Sequence, residues 1–310
     1  MNTKTLKSGH KGFTLIELLV AMSITVILLG VLVYMTGISM DTYRDSRNEV
    51  RASRQAKEAL STIAKDFESM VSRRDGNNYE WLYAGEETSS LKGPSQREIT
   101  NTSRLIFFTG ATDRYNGAIG TSNDKGGDVS AVSYRLVYRD QISDSNDEEH
   151  AVFTLYRHLV NPDEAFKLLA VEDLEQAYTS DFSENDDLSA ANFLVENIYE
   201  FSVTFLIEVT VDQGGAQVTH TVRATMSPSN MTEFRLKGSK IEYSGDVEFA
   251  SGSGLAQAQI ENGRIVGVDI SITVLSDQGL TLAKKSGISR QDLVKQHGYH
   301  YSKSITTPRP

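Results

Sequence analysis

The hydrophobic pattern changes twice along the chain, and each change predicts a different element. From Leu18 to Met40 no side chain is charged. About 23 residues at 1.5 Å per residue give roughly 34 Å of helix, enough to span a bilayer with some tilt. The polar interruptions in this run, Ser23, Thr25, Gly30, Thr36, Gly37 and Ser39, are mild. Beyond it Ala56, Leu60, Ile63, Phe67 and Met70 recur at spacings of four and three, one face of an α-helix. No proline or glycine intervenes before Gly76, so helix is predicted to about Arg74.

After Gly76 the period becomes two. Residues 75–103 are polar and read as a long connection, with Trp81 as a packing anchor. Strands follow at Leu105–Thr109, at Val132, Tyr134, Leu136 and Tyr138, and at Val152–Val160, the last two as a hairpin. Residues 201–211 and 219–226 form a second hairpin across Gly214-Gly215. Ile241–Phe249 is a weaker strand, and 266–274 alternates again. Alternation with one polar face predicts antiparallel sheet. One helix is predicted over Pro162–Tyr178, and a short one from Ser289, followed by an irregular tail. The expected fold class is α+β. A long N-terminal helix, half transmembrane and half amphipathic, packs on antiparallel sheet in a β-rich, two-lobed head.

Charge sharpens this division. The 310 residues carry a formal charge of −10. Lys4, Lys7 and Lys11 precede the apolar run, with no acid among the first twelve residues. Residues 41–74 hold eight basic and six acidic side chains, and residues 75–310 twenty and thirty-four. Lysines ahead of a span predict a cytoplasmic N-terminus and an exported remainder. An acidic head argues against nucleic acid and against anionic lipid as its partners. Cysteine is absent, which removes disulfides and thiolate chemistry together.

Glu17 is the anomaly, because a carboxylate in hydrocarbon is costly. A cleaved secretory signal has a shorter apolar core with a small-residue site behind it. Neither that nor an ordinary anchor predicts Gly12-Phe13 followed four residues later by one glutamate. The stretch KGFTLIELLVAMSITVILLGVLVYM resembles the N-terminus of type IV prepilins and of type II secretion pseudopilins. The resemblance implies a basic leader at 1–12, cleaved between Gly12 and Phe13 by a prepilin peptidase/methyltransferase that then N-methylates Phe13. Glu17 matches the family's assembly glutamate, and Leu32-Val33-Tyr34 stands where the family often has a proline. Glu17 can pair with a neighbouring or its own Phe13 α-amine, or snorkel to the headgroups.

The division expected is leader 1–12, transmembrane and assembly helix 13–40, stem 41–74 and head 75–310. The stem separates its charges. Arg44, Arg47, Arg51 and Arg54 share one helical face, and Asp41, Asp45 and Glu49 another. This suits contacts between successive subunits of a filament, or a solvated charged helix. A head of about 235 residues has a radius of gyration near 18 Å, easier to place at a filament tip than in a tiled shaft. The SYRLVYRD and LYRHLV strands resemble J-type minor pseudopilins and W-type minor pilins.

The resulting expectation is a non-catalytic minor pilin or pseudopilin of a type II secretion pseudopilus or type IV pilus. It is first single-pass in a bacterial inner membrane, its head periplasmic. The implied partners are the peptidase, other pilins through their N-terminal helices, an inner-membrane platform and membrane lipid, with no cofactor. An exposed tip adhesin touching a surface, a secreted substrate or DNA is the alternative, and an anchored periplasmic enzyme a third class. His10, His150, His158, His220, His297 and His300 read as surface residues, without a metal or catalytic pattern. The acidic stretches SDSNDEE, with Asp144, Asn146 and Glu148, and SENDD read as solvated loops rather than calcium sites. SGSGLAQA from Ser251 reads as a flexible turn lacking a dinucleotide fingerprint's third glycine.

Overall fold

The computed structural model describes residues 12, 14–72, 77–86, 93–94, 103–110, 127–140, 150–227, 230–249, 254–285 and 287–307. The chain forms two units, 1–50 and 51–310. One helix, α1 (Leu15–Glu68), is long and apolar enough to cross a membrane by length and composition. In the first unit its apolar side chains are exposed, from Leu15 to Met40. The hydroxyls of Ser23, Thr25 and Thr36 each donate to the carbonyl four residues earlier at 2.8 Å. Their polarity is thereby satisfied inside the helix, which makes them tolerable in an apolar layer. The helix runs unbroken through Leu32-Val33-Tyr34.

In the second unit α1 buries Ala52, Ala56, Ala59, Leu60, Ile63, Ala64 and Phe67. Phe67 stacks on Phe107 of the adjoining sheet with centroids 4.3 Å apart. Helix ends at Glu68, earlier than the predicted Arg74. There Met70 forms a bridge with Thr109, and the Val71 amide donates to Phe108, so the backbone turns from helix to sheet pairing.

The strands are β1 (Glu80–Glu86), β2 (Ser103–Thr109), β3 (Ser130–Arg139), β4 (Val152–Val160), β5 (Phe193–Glu196), β6 (Ile198–Gln213), β7 (Ala216–Thr225), β8 (Met231–Lys237), β9 (Lys240–Gly245), β10 (Glu248–Phe249), β11 (Arg264–Leu275) and β12 (Gly298–Thr306). They form a seven-stranded sheet, β5-β4-β3-β2-β1-β8-β9, and a five-stranded sheet, β10-β7-β6-β11-β12, antiparallel throughout their named ladders. The short helices are α2 (Pro162–Ala165), α3 (Leu174–Asp181), α4 (Glu184–Asp187), α5 (Gln257–Glu261), α6 (Asp277–Ala283) and α7 (Arg290–His297). One core serves both sheets, joined where Phe205 of β6 stacks on Phe234 of β8 at 4.2 Å. The predicted β3–β4 and β6–β7 hairpins are present, the latter turning on Gly214 and Gly215 at positive φ.

Four expectations are corrected. The connection at 75–103 contains β1, whose Trp81, Leu82, Tyr83 and Ala84 are all buried. A strand covered on both faces lacks the alternation that marks a half-exposed one. The helix over Pro162–Tyr178 is two helices, because Asp173 caps a new start by accepting the Gln176 amide at 2.9 Å. β8 was missed because its register shifts between Met231 and Glu233, which breaks the period. The C-terminal tail is not irregular but β12, where Lys303 interrupts the apolar series Tyr299, Tyr301 and Ile305.

Beneath the last turn of α1, Asp66 is 1% exposed and accepts two hydrogen bonds from Arg157, at 2.7 and 2.8 Å, and one from Tyr134. Removing one member of such a pair strands the other in low dielectric. Arg157→Met is expected to cost about 3–5 kcal/mol, read as a lower denaturant midpoint at unchanged slope. Asp66→Leu combined with Arg157→Met should recover much of that loss.

Candidate functional site

The N-terminal motif is built on a helix start. Phe13 lies outside the described residues. Thr14 precedes the first helical residue, and its amide and hydroxyl both donate to Glu17 Oε2, at 2.9 and 3.0 Å. The Glu17 amide in turn donates to the Thr14 hydroxyl at 3.3 Å. This is a reciprocal capping box, Thr14 at the N-cap and Glu17 three residues on. The carboxylate therefore meets N–H and O–H donors and the positive end of the helix dipole within its own chain. The sequence signal for this cap is Thr-x-x-Glu ahead of an apolar run.

The stem charges divide unevenly. Arg44, Arg47 and Arg54, with Asp41, Asp45 and Glu49, are exposed and make no ion pair among the described residues. Arg51 meets its own head. Its guanidinium donates to both oxygens of Asp277, at 2.9 and 3.0 Å, and to Glu196 at 2.8 Å. One side chain thus ties α1 to the end of β5 and the start of α6. All three partners are largely exposed, so each pair contributes little energy.

Two clusters in the head bring together residues that sequence spacing did not. Asp187 of the SENDD stretch is buried, and accepts from Tyr178 at 2.6 Å beside His158 Nδ1 at 2.9 Å. The stretch is therefore not a solvated loop: Ser183 begins α4 with a capping box, and Asp187 faces inward. His158 is not a surface residue either, its side chain being 15% exposed. Burial first, and then the Asp187 carboxylate, push the Tyr178 phenol above its ordinary range. In the five-stranded sheet His300 Nε2 lies 3.0 Å from Ser271 Oγ, and Thr273 links His300 Nδ1 to Glu200. Ser271 sits mid-strand, paired with both Ser202 and Ser302. The β11 amides on either side of Ser271 lie between two ladders, and the His300 and Ser302 amides point outward along the sheet edge, so none converges on its hydroxyl as an oxyanion hole.

Among the described residues no three His, Asp or Glu side chains stand close enough to hold a metal. Asp144, Asn146 and Glu148 lie outside the described residues, as does Ser251.

Glu80 is the most perturbed carboxyl of the head. It is fully buried on β1, where it caps α3 by accepting the Leu174 amide and receives Arg235 Nη1 at 3.0 and 3.1 Å. Arg235 also reaches Asp173, Glu175 and Glu233 and lies over the Tyr83 ring at 4.7 Å. Burial pushes the Glu80 carboxyl up to about 7, against the Leu174 amide and then Arg235, which lower it.

Residues 7–33 match the family model described as the prokaryotic N-terminal methylation motif. No curated protein and no solved structure matches the chain. Over these residues the chain carries a type IV pilin-like N-terminal motif, which implies processing by a prepilin peptidase. Proteins of this kind are generally non-catalytic structural subunits, and the apolar helix is consistent with a membrane-anchored prepilin.

Glu80 generates a pH dependence. Its folded value of about 7 lies above the ordinary 4.5, so the folded state keeps a proton that the unfolded chain has released. Stability from this group is full below 4.5 and is lost as pH rises to 7, by roughly 3 kcal/mol. Glu80→Gln retains an acceptor for Leu174 and leaves Arg235 three other carboxylates. Denaturant unfolding at pH 5 and pH 8 should show a smaller pH difference in that variant than in the wild type.

Proposed function

We propose that the chain is a minor pilin or pseudopilin, a structural subunit stored in the inner membrane and then drawn into a filament at or near its tip. One observation carries this reading: the methylation motif at 7–33 heads a helix whose apolar part, Leu15 to Met40, has Glu17 as its lone carboxylate, with a head of over two hundred residues behind it. Cleavage between Gly12 and Phe13 removes the leader 1–12 and creates an α-amine, which is cationic near neutral pH. N-methylation of Phe13 retains that charge. The assembly helix is 13–40, the stem 41–74 and the head 75–310. The SYRLVYRD and LYRHLV strands pair as the β3–β4 hairpin, and their sequence likeness to J-type and W-type minor subunits is what suggests that class.

In this reading Glu17 has two successive partners. Before cleavage the Thr14 donors satisfy it. After cleavage the α-amine of Phe13 on a neighbouring subunit offers a full opposite charge, and burial of the two as a pair favours assembly. The exposed Arg44, Arg47 and Arg54 face and the Asp41, Asp45 and Glu49 face supply complementary contacts between stems. Arg51 is a poorer probe of those contacts, because its replacement also frees Glu196 and Asp277 within the head.

Thr14→Ala and Glu17→Ala separate the two roles. Each should lose about 1 kcal/mol of helix capping, yet still insert and be cleaved and methylated, as read by intact mass. Thr14→Ala should enter sheared filaments near the wild-type level, and Glu17→Ala should be depleted several-fold. Wild-type incorporation of Glu17→Ala would sink the pairing role.

Arg44→Glu together with Arg47→Glu should weaken co-purification with neighbouring prepilin-like subunits several-fold and leave head stability unchanged. Equal recovery would remove the stem faces from the reading.

A further inference from the structure

The two sheets end in four edges, and three of them are blunted. β5 has four residues, and β10 has two, set against Val222 and Arg223 of β7 and leaving 216–221 beside the hairpin turn without a partner strand on that side among the described residues. β9 has six, with Lys240 and Glu242 along it, and its ladder to β8 shifts register. Short length, charge and irregularity are the ordinary devices that keep an open ladder from recruiting another chain. β12 is different. Its nine residues pair with β11 in one unbroken register, from Thr306 opposite Gly267 to Gly298 opposite Leu275. No proline interrupts it, and Lys303 is its one Lys, Arg, Asp or Glu. Among the described residues no strand lies beyond it.

Hydrogen bonds flanking the ladder set its phase. The Thr307 amide donates to Val266, and the Ser276 amide to His297. Pairing partners alternate between exchanging hydrogen bonds and not doing so, so the odd-numbered residues of β12 bond to β11. The N–H and C=O groups of His300, Ser302 and Ser304 therefore point away from the sheet.

We propose that β12 pairs antiparallel with β12 of a second copy, joining two five-stranded sheets edge to edge. The register that overlaps the whole strand sets Ser302 opposite Ser302. It brings outward-pointing residues together, His300 opposite Ser304 and Gly298 opposite Thr306, so the ladder can close without strain. It also sets Lys303 opposite Tyr301 rather than opposite its own copy. Like charges directly opposed destabilise a sheet, whereas an ammonium beside a tyrosine ring is attracted. The contact is isologous, with a two-fold axis through Ser302, and closes at two subunits. A strand from an unrelated protein would not require this self-complementarity.

The chain has no cysteine, so one introduced thiol reports the contact. Opposed residues of a hydrogen-bonded pair lie about 5.5 Å apart at Cα, within disulfide reach. Oxidation of the purified full chain in detergent micelles should give several-fold more covalent dimer from Ser302→Cys than from Ser244→Cys on β9. Adding Ser304→Pro removes an outward N–H while sparing the bonds to β11, so the yield should fall to the Ser244→Cys level with thermal unfolding unchanged. If that variant unfolds, Tyr301→Lys, which sets like charges opposite one another, should lower the yield instead. Equal yields at Ser302 and Ser244 overturn the pairing, as does a yield that survives Ser304→Pro in folded protein, or Tyr301→Lys. Cross-linking that appears only with added envelope extract, and to a different protein, also overturns it.

Discussion

The head is organised by the contact between the Ala52–Phe67 face of α1 and the seven-stranded sheet. Ala52, Ala56, Ala59 and Ile63 are buried in the shared core, and Phe67 stacks on Phe107 of β2. Burial makes any polar group beneath the helix expensive unless it is paired. Asp66 lies there, near a helix C-terminus where the dipole disfavours a carboxylate, and Arg157 and Tyr134 supply the compensation. The arrangement selects one rotation of the helix, since a shift of one residue would leave both Asp66 and Arg157 buried without partners.

The same device recurs where α3 and α4 meet this sheet. Glu80 on β1 caps α3 through the Leu174 amide, and Asp187 of α4 receives Tyr178 of α3. The negative charge of the head is thus partly internal: buried carboxylates fasten helices, and few arginines serve several of them. Arg235 alone reaches four acids. Glu17 belongs to the same chemistry in another setting, with Thr14 as its local donor at the start of an apolar helix. In each case a carboxylate that is costly alone becomes directional once its partner is specified.

Much of this was legible because it depends on local period. The apolar run from Leu18, the four-three spacing through Phe67 and the alternation of residues 201–211 each specify an element without reference to the rest of the chain. β1 escaped notice because neighbours on both sides bury Trp81, Leu82 and Tyr83, which removes its alternation. β8 escaped because a bulge shifts its phase, and β12 because Lys303 occupies an inward position at an edge. The acidic stretch at 183–187 looked like solvated loop, since only the fold brings His158 and Tyr178 to Asp187.

The sequence by itself determined the N-terminal motif, the membrane-length helix and an α+β head of antiparallel strands, because these rest on composition and on periods of 3.6 and two. Tertiary structure decided the partners. It drew Arg51 from a stem stripe into the head, brought His158 and Tyr178 to Asp187, and left β12 as a long open edge among the described residues. Those outcomes depend on which groups meet across tens or hundreds of residues, and on the cost of leaving a buried charge or a backbone donor unmatched.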